Sequence, residues 1–402
     1  MTVTVPTLDA LELRGKRVLM RCDFNVPQED DGSISDDTRI RAAVPTIQEC
    51  LKRGASRVVL MSHLGRPKGV DEALRLAVVG RRLAELSKLA VVQLTESIGP
   101  LVEAAVKNAP SGAVILLENV RFHATETKGD AKLAAEYAKF GDVFVNDAFG
   151  TSHRDEASVS GVARLLPSAA GLLVAKEIQA FGRVLNQPAR PLVAILGGAK
   201  VSDKLPVIDN LLPKVDALLI GGGMAYTFLA AQGHAVGASL VQKDQLEAVK
   251  GYLAKAHKLG KAIHLPSDHV IAQKFEEASP AKVCAVDIPD GWMGLDIGPA
   301  TRDAYRKVIV GAQTLVWNGP MGVFEWTAFR AGTEAVGRAV ADCAGYTVVG
   351  GGDSVAAIEL LGLGARIKHI STGGGASLEL LEGKALPGVT ALDPKQKSPA
   401  RA

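Results

Sequence analysis

The chain has 402 residues, of which 47% are hydrophobic, 22% charged and 4% aromatic, a composition typical of globular proteins and not of disordered, collagenous or coiled-coil chains. The 46 basic and 43 acidic residues leave a net charge of +3, which is too small to indicate a nucleic-acid-binding protein. At roughly 150 residues per domain the length predicts two or three domains, of which we expect two.

The cysteine pattern and the apolar segments favour a cytoplasmic protein. The four cysteines lie far apart, with neither zinc-site spacing nor a disulfide framework, which is typical of a reducing compartment. The N-terminus has no apolar segment after a basic start, so we expect no export signal. The longest uncharged stretch, from Ala217, is interrupted by glycines before ~20 apolar residues accumulate, so we expect no membrane span.

Short β-branched apolar runs alternate along the chain with longer segments of helical spacing, which predicts alternating β/α structure. In the first half, strands are predicted to begin at Arg17, Arg57, Ala113 and Asp142, with a weaker strand at 90–94. In the second half, they are predicted to begin at Pro191, Asp216, Ala262, Thr314, Tyr346 and Lys368. Near-continuous apolar strands indicate parallel sheets covered on both faces, so we predict an α/β fold of two doubly wound parallel-sheet units.

A domain boundary is predicted within 168–191, where a helical segment ends in a stretch that contains two prolines. The prediction is a first domain at 1–170, an inter-domain helix and hinge at 171–190, and a second domain at 191–385. The remaining residues, 386–402, form a C-terminal tail. Its polar end is predicted to be mobile or loosely packed on a neighbouring part of the protein.

Ligands bind beyond the carboxyl ends of parallel strands, so the residues that follow each strand are the candidates for a site. In the first half these are Asp23, Asn25, His63, Arg66, Arg121, His153 and Arg154, joined by Arg39 from the loop after the first strand. Arginine grips phosphate and carboxylate with two hydrogen bonds, so this set predicts a small substrate with more than one anionic group. Any single arginine is more simply a solvated surface charge, and only the recurrence after successive strands favours a site.

The corresponding positions of the second half are rich in glycine. The clusters are GGAKVSDK from Gly197, GGGMA from Gly221, NGPMG from Asn318, GGGDS from Gly350 and TGGGAS from Thr372. Glycine lets backbone N–H groups approach a ligand, and a helix N-terminus favours an anion, so these loops predict a nucleotide site. Tight turns explain any one cluster equally well. Their recurrence at one sheet edge, with Lys200, Lys204 and Asp353 among them, favours the ligand.

Several familiar motifs are missing. The chain has no GxxxxGK[ST], no GxGxxG after its first strand, no HExxH and no GxSxG, which argues against a Walker-type NTPase and a dinucleotide enzyme. Asp353 is the candidate Mg²⁺ ligand, with a helix N-cap before Ser354 as the alternative. Trp292, Trp317 and Trp326 are predicted to be packing residues, and His123 and His234 to be structural or surface residues.

One half therefore suits a small polyanion and the other a nucleotide, which predicts group transfer across a cleft between two domains. Phosphoryl transfer needs positioning and electrostatic stabilisation and must exclude water, which hinge closure would achieve. Two alternatives stay open at this point. One is a two-domain protein that closes on a sugar phosphate or nucleotide without catalysis. The other is an acyl-phosphate or CoA-ligase-like α/β enzyme with a different acceptor.

Over residues 8–389 the motifs resemble those of phosphoglycerate kinases: RCDFNVP, SHLGRP, LLENVRFH, VNDAFGTSHR, LGGAKVSDK, GGGMA, VWNGPMGVFE, GGGDS and STGGGASLELLEGKALPG. The resemblance implies reversible, Mg²⁺-dependent transfer of the acyl phosphate of 1,3-bisphosphoglycerate to ADP, giving 3-phosphoglycerate and ATP, in glycolysis and gluconeogenesis. It implies two Rossmann-like domains with a cleft and a hinge, and a tail that packs back on the first domain. It also implies a monomer, with small-molecule partners and neither nucleic acid nor membrane.

The resemblance also implies a role for each site residue of the first half. The substrate-binding set is Asp23, Phe24, Asn25, Arg39, His63, Leu64, Gly65, Arg66, Arg121 and Arg154. Asp23 and Asn25 would contact the hydroxyl and carboxyl end of the glycerate, and Arg39 would lie against the carboxyl group and stabilise the phosphoryl group in transfer. The residues implied to hold the non-transferred phosphate are His63, Arg66, Arg121 and Arg154.

On the nucleotide side, Lys200 would contact the transferring phosphoryl group, and Asp353 would bind Mg²⁺. The nucleotide-binding set is Lys204, Gly222, Gly294, Asn318, Glu325, Gly351, Gly352, Asp353 and Ser354. Within it, Lys204 and Asn318 would reach the phosphates and Glu325 the ribose, while Gly222 and Gly294 would line the adenine pocket. Gly373 and Gly374 would open a helix whose amides face the transferring group, so the catalytic set is Arg39, Lys200, Gly373 and Gly374.

Overall fold

The computed structural model describes residues 5–396. The chain divides into two compact units: unit 1 contains the residues up to Gln179 and those from Ala385 onward, and unit 2 contains Ala180–Lys384. Each unit is built on a six-stranded sheet in which every strand pair is parallel. The predicted α/β class with two doubly wound units is confirmed.

The sheet of unit 1 has the strand order β3-β4-β2-β1-β5-β6. Its strands are β1 (Arg17–Arg21), β2 (Arg57–Met61), β3 (Val91–Gln93), β4 (Ala113–Leu116), β5 (Val143–Asn146) and β6 (Ser168–Ala170). Consecutive residues of the central strands are buried, which requires cover on both faces of the sheet. The strand order reverses between β1 and β5, and that point is where open α/β sheets bind ligands.

The helices that cover this sheet are α1 (Thr38–Lys52), α2 (Ala77–Ser87), α3 (Pro100–Asn108) and α4 (Ala131–Ala138). The next helix, α5 (Leu172–Leu185), begins in unit 1 and ends in unit 2. Its first amides donate hydrogen bonds to side chains of unit 1. Leu172 N donates to Thr46 Oγ1 at 3.1 Å, and Leu173 N donates to Asp147 Oδ1 at 3.0 Å. These acceptors satisfy N–H groups that a helix leaves without a partner.

The sheet of unit 2 has the strand order β15-β14-β13-β7-β8-β9, which is that of a Rossmann sheet. Its strands are β7 (Leu192–Leu196), β8 (Ala217–Ile220), β9 (Ala262–His264), β13 (Thr314–Asn318), β14 (Tyr346–Val349) and β15 (His369–Ile370). A separate antiparallel sheet of the order β11-β10-β12 contains β10 (Asp268–Ala272), β11 (Lys282–Ala285) and β12 (Met293–Ile297).

The helices of unit 2 are α6 (Leu205–Leu211), α7 (Met224–Ala231), α8 (Leu246–Lys258), α9 (Pro299–Val310), α10 (Ala331–Asp342), α11 (Gly352–Leu360) and α12 (Gly375–Leu381). The last helix, α13 (Pro387–Thr390), belongs to unit 1. Gly388 N donates to Ser152 O at 2.8 Å, and Asn146 Nδ2 donates to Gly388 O at 2.8 Å. These bonds hold the first part of the C-terminal tail against β5 and the loop after it. Its final residues, 397–402, lie outside the described part of the chain.

The predicted strands all occur, but four observed strands were not predicted. β6 consists of serine and alanine, which carry no β-branched signal. β10 and β12 each contain a buried aspartate that interrupts the apolar run, and the residues of β11 are largely exposed. None of the helices formed by the described residues has the length and apolar character that crossing a bilayer requires.

Candidate active site

The loops after β1 and β2 are joined by side-chain hydrogen bonds at the carboxyl edge of the sheet. Asn25 Oδ1 accepts from Gly65 N at 2.7 Å, and Asp23 Oδ1 accepts from Asn25 N at 3.2 Å. The other oxygen of Asp23 accepts from Arg39 Nη1 at 2.7 Å. Arg39 lies in the first turn of α1 and not in a loop, which corrects the sequence expectation. Asp23, Asn25 and Arg39 are thus brought together.

The two apolar members of the predicted set anchor these loops. Phe24 and Leu64 are 0% and 2% exposed, and Phe24 N donates to Ser62 Oγ at 2.8 Å. The carbonyl of Leu64 accepts from Asn119 Nδ2 at 2.8 Å, which links the loop after β2 to the loop after β4. Their role in the structure is to fix the backbone of the site.

His63 is a buried, neutral imidazole. Its Nδ1 lies 3.2 Å from Arg21 Nη2, and because a guanidinium only donates, Nδ1 accepts and the ring proton is on Nε2. Burial, reinforced by the positive charges of Arg21, Arg121 and other nearby arginines, holds the pKa of His63 well below its ordinary value of 6.5. His63 therefore offers a neutral N–H donor at pH 7.

A buried glutamate lies among three arginines in the same region. Glu156 is 2% exposed, and its Oε1 lies 3.0 Å from Arg121 Nη2 and 3.5 Å from Arg154 Nη1. Its Oε2 lies 3.8 Å from Nη2 of Arg21, which is the last residue of β1 and is fully buried. The second Nη of Arg121 donates to Gly65 O at 3.0 Å. Arg121 and Arg154 are therefore brought together as predicted, but around a carboxylate.

A second polar layer lies beneath this cluster. Arg21 Nε donates to Ser158 Oγ at 2.8 Å, and the Ser158 hydroxyl donates to the carboxylate of Glu126. Ser158 belongs to a π-helical turn, Ala157–Gly161. Burial raises the pKa of Glu126 to about 7, against the lowering effect of Arg21 and Ser158. The layer holds the Arg21 guanidinium in place beside His63.

Sequence reasoning missed Arg21, Glu126 and Glu156. A signal was present for Arg21, because an arginine ends a strand whose other members are almost all apolar, and such a charge is buried only when it is paired. Glu126 and Glu156 carried no comparable signal, because glutamate in a loop is usually solvated. By contrast Arg66, a predicted site residue, is exposed, and within the described chain no ion pair joins it to this cluster.

In unit 2 the predicted phosphate contacts Lys204 and Asn318 are bonded to each other, with Lys204 Nζ donating to Asn318 Oδ1. Asn318 ends β13, and its Nδ2 donates to Gly350 O at 2.9 Å. Burial lowers the pKa of Lys204, and the nearby carboxylates of Asp203 and Asp353 oppose that effect. The loops after β7, β13 and β14 are thus connected through the half-buried ammonium group of Lys204 and the side-chain amide of Asn318.

Many of the glycines are required by contacts between these loops. A Cβ at Gly222, where φ is +67°, would lie 2.6 Å from the backbone of Gly198, and a Cβ at Gly319 would lie 2.2 Å from Gly197 O. The turn interpretation therefore explains these positions. A Cβ at Gly352 or Gly374 would meet nothing within 4 Å, so the backbone there faces open space that a ligand can enter.

Asp353 is an exposed carboxylate in the first turn of α11, which begins at Gly352 with Gly351 as its N-cap. The alternative that Asp353 is an N-cap is therefore wrong. Ser354 is buried and accepts from Gly319 N at 2.5 Å. The described residues contain no group of three or more histidine, cysteine, aspartate and glutamate side chains able to hold a metal. The exposed carboxylate of Asp353 suits Mg²⁺, which takes one or two protein carboxylates and completes its coordination with phosphate oxygens and water.

The remaining predicted residues lie in four separate segments of unit 2. Gly294 lies within β12, where a Cβ would come 2.1 Å from the hydroxyl of Tyr226, so side-chain packing explains that glycine. Lys200 and Glu325 are exposed. Gly374 immediately precedes α12, and Gly373 N donates to Ser371 Oγ at 3.1 Å.

The histidines and tryptophans set aside in the sequence are accounted for structurally. His123 Nε2 lies 2.7 Å from Ser97 Oγ, and His234 Nδ1 lies 3.1 Å from Asp287 Oδ1. Trp317 is fully buried in the core of unit 2, while Trp326 packs against Phe275 with ring centroids 4.7 Å apart. The prediction that these are packing and structural residues agrees with their positions.

Unit 1 has a cluster of arginines at its sheet edge, and the Rossmann-ordered unit 2 has glycine loops, lysines and an exposed aspartate. These are the features that the sequence predicted for a phosphotransferase. A family model described as "Phosphoglycerate kinase" matches residues 8–384. The chain is 58% identical over 391 residues to the phosphoglycerate kinase of Moorella thermoacetica, covering 97% of this chain and 99% of that protein. It is 56% identical to that of Roseiflexus castenholzii, with 96% and 98% covered.

Solved structures give the same result. The phosphoglycerate kinase of Coxiella burnetii superposes with a TM-score of 0.89 at 40% identity, covering 98% of this chain and all of that one. That of Pyrococcus horikoshii superposes with a TM-score of 0.81 at 33% identity, covering 96% and 98%. The chain belongs to the phosphoglycerate kinase family.

Members of this family are kinases with a carboxyl group as acceptor and act in glycolysis, with ATP or ADP as co-substrate and Mg²⁺ as the metal. The predicted reaction is therefore confirmed at the level of the family: reversible phosphoryl transfer between 1,3-bisphosphoglycerate and ADP. The two alternatives left open by the sequence, a non-catalytic binding protein and a ligase-like enzyme, are not supported by these relatives.

Proposed function

We propose that unit 1 binds 3-phosphoglycerate or 1,3-bisphosphoglycerate and that unit 2 binds the Mg²⁺ nucleotide. The observation that carries the assignment of unit 1 is the convergence of Arg21, Arg121 and Arg154 beside the Nε2–H donor of His63. A phosphate dianion requires several cationic and N–H donors at one place, and this edge of the sheet supplies them. Asp23 and Asn25 would orient the glycerate hydroxyl and carboxyl end beside Arg39.

The catalytic set that we propose is Arg39, Lys200, Gly373 and Gly374. In phosphoryl transfer the protein mainly positions the reactants and stabilises the charge of the transferring group. The Asp23 carboxylate holds the Arg39 guanidinium at the site edge. Lys200 is exposed and therefore available to a nucleotide phosphate, and the backbone at Gly374 is unobstructed. Bound Mg²⁺ would neutralise nucleotide phosphate charge, with Asp353 as its protein ligand.

The other proposals concern the unit boundary and the setting of the enzyme. We place the hinge in α5, because the division between the units falls within that helix. We also propose a cytoplasmic monomer whose partners are these small molecules and neither nucleic acid nor a membrane. The four cysteines are free thiols, which supports a reducing compartment. Light scattering after gel filtration tests the monomer directly.

The assay for the proposed roles follows ADP formation from Mg-ATP with and without 3-phosphoglycerate. Arg39→Ala and Lys200→Ala should each lower kcat by about 10²-fold, as expected for a group that stabilises the transition state. Arg41→Ala is the matched control, because Arg41 lies on the same helix as Arg39 and pairs with Asp37 instead. Equal activity of the Arg39 and Arg41 variants would contradict the assignment of Arg39.

A further inference from the structure

The anion site proposed for unit 1 already contains a protein anion. Glu156 is 2% exposed, and its two oxygens lie within 3.0–3.8 Å of nitrogens of Arg121, Arg154 and Arg21. No other carboxylate of the described residues forms an ion pair with any of these three arginines. A carboxylate in contact with three guanidiniums occupies the kind of position that a phosphate group would take.

The contacts also show that a phosphate bound at these arginines would have to share their N–H donors with Glu156 and with Gly65 O. One Nη of Arg121 donates to Glu156 and the other to Gly65 O, while its Nε is buried without a hydrogen bond from the described residues. Arg154 Nη1 is directed at the same Oε1 atom. An incoming phosphate therefore meets guanidinium groups whose donors are partly in use.

Glu156 is itself incompletely satisfied. Its Oε2 accepts no hydrogen bond from the described residues and faces Arg21 at 3.8 Å. A buried carboxylate oxygen without a hydrogen bond is held by the charges around it, and it stays there only while those charges attract it. The cluster therefore consists of one carboxylate attracted by three guanidinium groups, and a phosphate dianion placed nearby would compete for the same positive charges.

We infer that Glu156 is an internal counter-ion that competes with the substrate phosphate for Arg121 and Arg154, and so sets the anion affinity of the site. The inference rests on the function proposed for unit 1. Glu156 keeps the arginines ordered and paired when no substrate is bound.

Glu156→Gln separates charge from shape, because glutamine keeps an oxygen that accepts from Arg121 and loses the negative charge. Removing a unit charge within a few ångströms of a partly buried anion site changes binding by about tenfold or more. We therefore expect E156Q to bind 3-phosphoglycerate and inorganic sulfate about tenfold more tightly than the unaltered protein does. Without any anion, E156Q should have a lower Tm, because three arginines then lack their counter-ion, and sulfate should restore it.

The experiment is calorimetric titration of 3-phosphoglycerate and, separately, of sulfate into the full chain, E156Q and two further variants. Asp155→Asn is the matched control, because it removes the adjacent acidic charge, which pairs with Arg164 and contacts Ser160 instead. Its affinities should stay within about twofold of the unaltered protein. Glu156→Asp keeps the charge with a shorter side chain and should not reproduce the gain in affinity that E156Q shows.

Each outcome bears on the inference. Tighter binding of both anions by E156Q, with D155N unchanged, supports it. Equal or weaker binding by E156Q overturns it, as does an equal gain in E156D, which would make packing the cause. If E156Q does not fold even in sulfate, phosphate-like anions cannot replace Glu156 and the inference fails. If the unaltered protein binds sulfate here but not 3-phosphoglycerate, the function proposed for unit 1 fails, while the sulfate comparison still decides the role of Glu156.

Discussion

The buried carboxyl of Glu126 predicts a pH dependence of stability that belongs to unit 1. Burial raises its pKa to about 7 from an ordinary value of 4.5, so folding favours the protonated form. The stabilisation is complete below pH 4.5 and is lost as the pH rises through about 7. Each pH unit between those values lowers the free energy of unfolding by ~1.4 kcal/mol, so the whole loss is about 3 kcal/mol.

Glu126→Gln removes this titration and keeps a side chain that can accept from Ser158. The free energy of unfolding of E126Q should therefore lose about 3 kcal/mol less than that of the unaltered protein between pH 4.5 and pH 8. Urea unfolding at both pH values gives this difference, and comparing the variants cancels the other titrating groups. Glu136→Gln, which alters a partly exposed residue of α4, is the control and should leave the difference unchanged.

Two probes can assign the effect to a unit. The tryptophans, Trp292, Trp317 and Trp326, all lie in unit 2, so their fluorescence follows that unit, whereas circular dichroism follows both. E126Q should therefore change the pH dependence of the unfolding transition followed by circular dichroism. The transition of unit 2 followed by tryptophan fluorescence should keep the same pH dependence. A pH dependence of stability identical in E126Q and the unaltered protein would refute the conclusion that Glu126 is protonated on folding.

Two further predictions concern the site. Gly222→Ala should lower the free energy of unfolding by about 2 kcal/mol or more, because its φ is +67° and a Cβ would lie 2.6 Å from the Gly198 backbone. Gly352→Ala should change the free energy of unfolding only as much as other exposed surface substitutions do, because a Cβ there would meet nothing within 4 Å. Urea unfolding of both variants measures this, and equal losses would contradict the packing argument. His63→Ala should raise KM for 3-phosphoglycerate more than it lowers kcat, and His63→Gln should raise it less because glutamine keeps an N–H donor. In the unaltered protein, the pH profile of this KM should show no titration of His63 near pH 6.5. Such a titration would show that the imidazole is charged in the folded protein.

The local pattern of the chain determined most of its architecture. Runs of consecutive apolar residues such as Val18–Met20 are buried on both sides of a sheet, and this environment leaves a signal that is readable without neighbours. The positions after those strands also predicted the edge of the sheet at which Asp23, His63 and Arg121 lie. This succeeds because the carboxyl ends of parallel strands meet at one edge whatever the rest of the fold does.

Only the tertiary structure decided what these groups are chemically. The sequence shows that His63 follows β2, but the low pKa of its imidazole comes from burial and from Arg21, which lies 42 residues away in the chain and donates to its ring. Glu156 could be recognised as part of the arginine cluster only when Arg21, Arg121 and Arg154 were in place around it. Glycines that look alike in sequence separated into those that another loop touches, such as Gly222, and those that face open space, such as Gly352. The physical reason is that charge, protonation and close approach are properties of pairs of groups, and the fold chooses the pairs.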